Sequence, residues 1–172
     1  MSIIVCPLSR VPAVARARKP SHAVSLLDPG TPFPTLDGDT RHLRLPIHDI
    51  ELEMDGMDAL CETRMRTILD FVETWRPNDP ILIHCYAGIS RSTATAFITA
   101  CAHNPQCDEE EIALALRAAS PTASPNRRFV SLADAEMGRG GRMRRAIEKI
   151  GRGAAWLSVS EAAPFELPVR FA

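Results

Sequence analysis

The chain lacks an excess of charge of either sign: Lys plus Arg is 20 and Asp plus Glu is 21, a net charge of −1. A dedicated nucleic-acid binder usually carries a clear basic surplus, so that class is set aside. It also lacks an apolar run near the roughly 20 residues that span a bilayer. Its N-terminus, Met1-Ser2-Ile3-Ile4-Val5-Cys6-Pro7, has no basic start of the secretory kind, which predicts a cytoplasmic protein. Aromatics are scarce, with one Tyr and two Trp. Cysteines number five, Cys6, Cys61, Cys85, Cys101 and Cys107, without the paired spacing of a zinc site. An odd set of reduced thiols leaves room for one with a task of its own. Cys101 and Cys107 flank Asn104-Pro105 with only His103 nearby, too few ligands for a metal, and read as structural.

What is present is an ordinary globular composition, 45 % apolar and 24 % charged over 172 residues, enough for one domain with its own core. Ile3–Val5, His22–Leu27 and His42–Ile47 read as strands, the last with Pro46 marking an edge or a strand end. From Met57 to Trp75 apolar residues recur at three and four, which predicts a helix; Asp55 reads as its N-cap and Glu62–Arg66 as an i,i+4 pair. Ile81-Leu82-Ile83 is a bare apolar run, the pattern of a central strand covered on both faces. Ser92 to Ala102 is a helix with no polar side and so a buried one.

Acids at Asp108–Glu111 open a further helix, and Ser124-Pro125 reads as a cap before another, with Asn126 and Phe129 at its start. A basic helix over Met143–Ile150 follows, and the basic stretch Arg139, Arg142, Arg144, Arg145 and Lys149 reads as a solvated helix face. Strands alternating with helices predict an α/β single domain around a mostly parallel sheet of four to five strands. Residues 1–151 form that domain, and residues 152–172 read as a C-terminal extension or tail.

Between the central strand and the buried helix lies His84-Cys85-Tyr86-Ala87-Gly88-Ile89-Ser90-Arg91-Ser92. A loop there turns successive N–H groups inward and ends in a helix N-terminus, an anion cradle at the carboxyl end of a central strand. Gly88 permits the tight conformation, and Arg91 supplies a planar fork for two phosphate oxygens. Cys85 lies at the floor, where dipole, amides and Arg91 stabilise a thiolate aimed at phosphorus. A charged Arg91 at the head of an apolar helix argues against an inert buried thiol, because an unpaired buried charge is costly.

Cys-x5-Arg preceded by His84 and followed by Ser92 resembles the signature loop of cysteine-dependent protein tyrosine phosphatases, and the short single domain resembles their dual-specificity branch. The resemblance spans residues 20–135: the strand ending in Leu26-Leu27, Pro46-Ile47-His48-Asp49, the long helix, the signature, and Pro125-Asn126-x-x-Phe129. It implies that Cys85 attacks phosphorus and forms a phosphocysteine. Arg91 and the amides of Tyr86, Ala87, Gly88, Ile89 and Ser90 would hold the phosphate. Ser92 would help the sulfur leave, and His84 would tune the loop by bonding near the Cys85 backbone. Neither metal nor cofactor is required. Asp49, after the third strand, is the implied general acid, with Asp55 the runner-up, while Glu51 and Glu53 read as solvated and Ser90 as a loop-stabilising hydroxyl. The chain carries Ser131 where many relatives have glutamine, and no catalytic role for that segment follows. Some relatives trap an oxidised nucleophile with a second cysteine, for which Cys6 and Cys61 are the candidates here.

The loop has no Lys or Arg between Cys85 and Arg91, which favours one phosphate on an apolar body over several phosphates. The expected partner is a phosphotyrosine-containing protein or a small aryl or alkyl phosphomonoester, not nucleic acid or membrane. A non-catalytic phosphate-binding module, and thiol chemistry such as sulfur transfer or arsenate reduction, are the alternatives.

Overall fold

The structure is a computed structural model that describes residues 2–36, 38–154 and 159–171. Five strands form one sheet: β1 (Ser2–Pro7), β2 (His22–Leu27), β3 (Arg41–Pro46), β4 (Ile81–Cys85) and β5 (Phe165–Pro168), in the order β3-β2-β4-β1-β5. β1 to β4 run parallel, and β5 is antiparallel to β1. The apolar run Ile81–Ile83 therefore stands at the centre, and Pro46 ends an edge strand, where a missing N–H costs least.

Alternation along the strands divides the core. Ile3, Val5, Val24, Leu26, Ile81 and Ile83 face one layer, which holds Met65, Ile68, Val72, Phe97 and Phe129. Ile4, Cys6, Ala23 and Leu82 face the other, where Val11 and Val14 of α1 (Val11–Arg18) cover them. The larger layer comprises α2 (Glu62–Thr74), α3 (Arg91–His103), α4 (Glu109–Ala119), α5 (Arg127–Glu136) and α6 (Arg142–Ile150). α3 is buried from Arg91 through Cys101. Its small residues let neighbours approach, and the hydroxyls of Thr95 and Thr99 are satisfied by the carbonyls one turn back, at 2.9 and 2.8 Å.

Four features differ from the sequence expectations. First, α2 starts at Glu62, not Met57, and Asp55 caps nothing: the N-cap is Cys61, without a side-chain bond. The reason is a loop closed at its base by His48, whose N–H reaches the Asp58 carbonyl at 2.9 Å while its Nδ1 accepts the Asp58 N–H at 2.8 Å. Arg66 meets Glu62 only at 3.9 Å and is held instead by Glu136 at 2.8 Å. Second, Asn126, not Ser124, caps α5, its Oδ1 accepting from Arg128 N and Phe129 N. Third, Arg139 is not solvated: it is buried and pairs with the buried Glu109 at 3.0 Å, beside Arg142 at 3.0 Å. Burial alone would raise the Glu109 carboxyl, but the Arg142 hydrogen bond, its backbone N–H and the two guanidinium charges bring it below the usual range.

Fourth, the C-terminal extension is part of the sheet. Ile3, Ile4 and Val5 pair with Leu167, Glu166 and Phe165, so β5 covers an edge that β1 would otherwise expose. Four residues with weak alternation carry little signal by themselves, and only the waiting edge makes them a strand.

Candidate active site

Cys85, Arg91, Ser92 and Asp49 gather at the carboxyl ends of the parallel strands, where α/β sheets bind ligands, and Asp55 does not. Cys85 ends β4, Asp28 follows β2, Asp49 follows β3, and Arg91 opens α3. The loop between Cys85 and Arg91 lies against the end of β1. Gly88 has φ +72°, and a Cβ there would stand 2.9 Å from Pro7 N and 3.0 Å from the Cys6 carbonyl carbon. Four of the loop's carbonyls are committed to donors elsewhere: Tyr86 O to Leu8 N (3.0 Å), Ala87 O to Ala162 N (2.8 Å), Ile89 O to Ser124 N (2.9 Å) and Ser90 O to Ala94 N (3.0 Å). With these acceptors engaged, the loop turns the Gly88 N–H toward Cys85 Sγ, at 3.3 Å.

Gly88→Ala is expected to destabilise the fold by about 2 kcal/mol or more, from left-handed strain together with overpacking against β1. Thermal unfolding measures this, and a midpoint unchanged from wild type would show that the loop relaxes at no cost.

Cys85 is 2 % exposed, and Ser92 Oγ lies 3.1 Å from its sulfur. Gly88 N–H thus donates to Sγ, and the Ser92 hydroxyl stands within hydrogen-bond reach of the same sulfur. The Arg91 side chain is 5 % exposed. Its Nη1 donates to Asp28 Oδ1 and to the Ile47 carbonyl, both at 2.6 Å. Its Nε is buried with no hydrogen-bond partner among the described residues, and Asp49 Oδ2 lies 3.9 Å from it. A buried N–H left over on a charged group is rare, because it forfeits a hydrogen bond worth more than a neutral one. One edge of the guanidinium is thus locked, and the other carries an unspent donor suited to an anionic oxygen. Asp28 was not anticipated from the sequence, where Asp28-Pro29-Gly30 reads only as a turn. The available signal was its position at the end of a strand adjacent to β4.

Asp49 stands at the cleft mouth, its side chain 35 % exposed. One oxygen, Oδ1, accepts from Ser90 Oγ at 2.7 Å and from Asn126 Nδ2 at 2.8 Å, leaving Oδ2 on the Arg91 side. The Ser90 hydroxyl therefore bonds to the loop after β3 rather than within its own, and Asn126 ties that same loop to α5. Asp55 does not line the cleft. Glu51 accepts from Arg127 N at 3.2 Å and Glu53 from Arg128 at 2.9 Å, so neither is merely solvated.

Behind Cys85 runs a chain of hydrogen bonds whose direction is forced. Arg44 Nε can only donate, and it lies 3.1 Å from His42 Nδ1. His42 must then donate through Nε2 to Ser25 Oγ at 2.6 Å. Ser25 in turn donates to His84 Nε2 at 2.5 Å, leaving His84 Nδ1–H for the Cys85 carbonyl at 3.4 Å. Such a chain needs neutral imidazoles. Burial, with Arg44 and His84 adding, pushes His42 down to about 4. Burial pushes His84 to about 4 as well, its bond to Cys85 opposing and Arg91 adding.

The five cysteines are free thiols. Cys6 sits on the strand beside Cys85, with Cys6 opposite His84 and Pro7 opposite Cys85, whereas Cys61 is exposed at the start of α2. Burial and the charge of Cys85 push the Cys6 thiol up to about 12 against the opposing charge of Arg10. Among the described residues no group of three His, Cys, Asp or Glu side chains is placed to hold a metal ion. None of the described helices is long and apolar enough to cross a membrane. The cleft itself has a volume of about 710 Å³, with Leu52, Met54, Tyr86, Arg152 and Val159 around its mouth.

No protein-family model and no curated protein matches the chain. Solved structures do. DUSP15 superposes with a TM-score of 0.60 at 21 % identity, over 84 % of this chain and 89 % of that one. The human tyrosine phosphatase-like serine/threonine/tyrosine-interacting protein gives 0.59 at 17 % identity, over 79 % and 91 %. PTPMT1 in complex with PI(5)P gives 0.54 at 12 % identity, over 85 % and 88 %. The fold is that of the dual-specificity branch of the cysteine-dependent protein tyrosine phosphatases.

Proposed function

We propose that this protein hydrolyses phosphomonoesters through a cysteinyl-phosphate intermediate, acting on phosphotyrosine in a protein or on a small aryl phosphate. The observation that carries this reading is Arg91, locked by Asp28 and the Ile47 carbonyl with its buried Nε donor unspent, at the head of the loop that holds Cys85.

In the first step the Cys85 sulfur attacks phosphorus, an S–P bond forms and the ester P–O bond breaks. Asp49 transfers its proton to the departing oxygen through Oδ2, the oxygen that Ser90 and Asn126 leave unbound. The Arg91 Nε edge and the loop amides hold the equatorial oxygens as charge moves onto them, which is preorganised electrostatic stabilisation. In the second step Asp49 takes a proton from water, the water oxygen bonds to phosphorus and the S–P bond breaks. Ser92 Oγ, 3.1 Å from Sγ, stabilises the returning thiolate. Residues 86–90 carry no cation, which suits a single phosphate on an apolar body.

The test is hydrolysis of 4-nitrophenyl phosphate and of phosphotyrosine in EDTA, with vanadate as inhibitor. Wild type is expected to turn over both. Asp49→Asn is expected to slow phosphotyrosine hydrolysis by about 10²–10⁴-fold. It should slow 4-nitrophenyl phosphate less, because that leaving group departs without a proton. Equal slowing of both would take the acid role from Asp49. A wild-type protein that binds vanadate but turns over neither ester would be a phosphate-binding module instead.

A further inference from the structure

Four of the five large apolar side chains exposed among the described residues belong to the two loops that frame the cleft: Leu52 (78 %), Met54 (57 %), Met57 (36 %) and Tyr86 (65 %). Single exposed apolar residues need no explanation, but a set gathered at one cleft marks a surface that meets something. The acid loop is also built the wrong way round for a solvated segment. Glu51 and Glu53 alternate with Leu52 and Met54, and it is the glutamates that tie the loop down, to Arg127 N and to the Arg128 guanidinium. The apolar side chains are left outward beside the cleft, which Leu52 and Met54 line together with Tyr86. Beyond them Asp55 and Asp58 are exposed, and residues 49–58 hold five acidic side chains and no Lys or Arg.

We propose that this rim is a docking surface for the polypeptide around a phosphotyrosine, one that carries large apolar side chains next to the phosphoresidue and basic rather than acidic ones further out. The proposal rests on the phosphomonoesterase reading of the cleft. Leu52 and Met54 cover the apolar neighbours and exclude water from them, so they set specificity without touching the reacting atoms. The acidic stretch repels acidic flanks and draws basic ones, and it repels an anionic lipid surface in the same way, which favours a peptide over a membrane as the occupant.

Two phosphotyrosine peptides of equal length test this, one with Leu and Ile beside the phosphotyrosine and Lys beyond, the other with Glu and Asp at the same places. Their binding is measured by fluorescence anisotropy on the Cys85→Ser protein, and their kcat/KM on wild type. The apolar–basic peptide is expected to be favoured about tenfold or more in both measurements. The neutral double variant Leu52→Ser, Met54→Ser is expected to cut that preference several-fold while hydrolysing 4-nitrophenyl phosphate within about twofold of wild type, since it removes the apolar cover of the flanking residues and adds no charge to the cleft. Equal binding of the two peptides would overturn the proposal. So would a double variant that keeps the preference, or stronger binding to vesicles containing a phosphoinositide than to either peptide. If wild type hydrolyses neither the peptides nor 4-nitrophenyl phosphate, the enzymatic reading falls, and the anisotropy measurement still decides whether the rim selects its peptide.

Discussion

Cys85→Ser is expected to abolish turnover of aryl phosphates, by on the order of 10⁴-fold or more, as when the nucleophile of a covalent mechanism is removed. The expectation follows from the surroundings of the sulfur. Gly88 N–H donates to Sγ and Ser92 Oγ lies within hydrogen-bond reach of it, so under the proposed reaction both can steady the sulfur at the floor of the loop. A serine hydroxyl is much the weaker nucleophile, and no histidine stands by to take its proton: His84 is neutral, with both ring nitrogens committed to Ser25 and the Cys85 carbonyl. The substitution removes little volume and leaves an oxygen acceptor where the sulfur took the Gly88 N–H, so stability should stay within about 1 kcal/mol and phosphopeptide binding should persist. Rapid acid quenching during turnover of a ³²P-labelled ester should trap label on wild type and none on the variant. Label retained on Cys85→Ser, or turnover near the wild-type rate, would place the nucleophile elsewhere.

Arg91→Lys is expected to lower kcat/KM by about 10³–10⁵-fold, the range seen when an arginine that stabilises transferring phosphoryl charge is lost. One guanidinium here does two tasks. Nη1 is spent on Asp28 and the Ile47 carbonyl, while Nε is the donor that the proposed reaction assigns to a phosphate oxygen. A lysine has a single charged nitrogen without a fork, and cannot hold that anchor and meet a phosphate oxygen along a second direction. The loss should fall on kcat more than on KM, because charge on the equatorial oxygens is spread furthest in the transition state. Steady-state kinetics on 4-nitrophenyl phosphate reads the split, and a variant within tenfold of wild type would mean that the loop amides alone carry the phosphate.

Much of the site is readable along the chain because it is local. Cys85 through Ser92 is one strand end, one loop and one helix start, so eight consecutive residues carry the cradle, its glycine and its arginine. The central strand is equally plain, since a residue buried on both faces must be apolar whatever its neighbours are. The α2 start was misplaced for the opposite reason. Met57 continues the helical spacing, but the His48–Asp58 pairing holds residues 48–58 as a loop, and spacing is blind to a partner ten residues back.

What the sequence by itself determined is the sheet's apolar centre and the Cys85–Ser92 cradle with the thiol, glycine and guanidinium it holds, because these depend on residue type and short spacing. Only the tertiary structure decided which carboxylates serve that cradle: Asp28 locks Arg91 from the end of a neighbouring strand, and Asn126 and Ser90 aim Asp49 from a helix and a loop. It also decided that residues 165–168 are a strand and that Arg139 is buried. The physical reason is common to all of them. A hydrogen bond, an ion pair or a sheet edge between residues far apart in the chain leaves no period in the sequence, and exists only once packing has brought the two ends together.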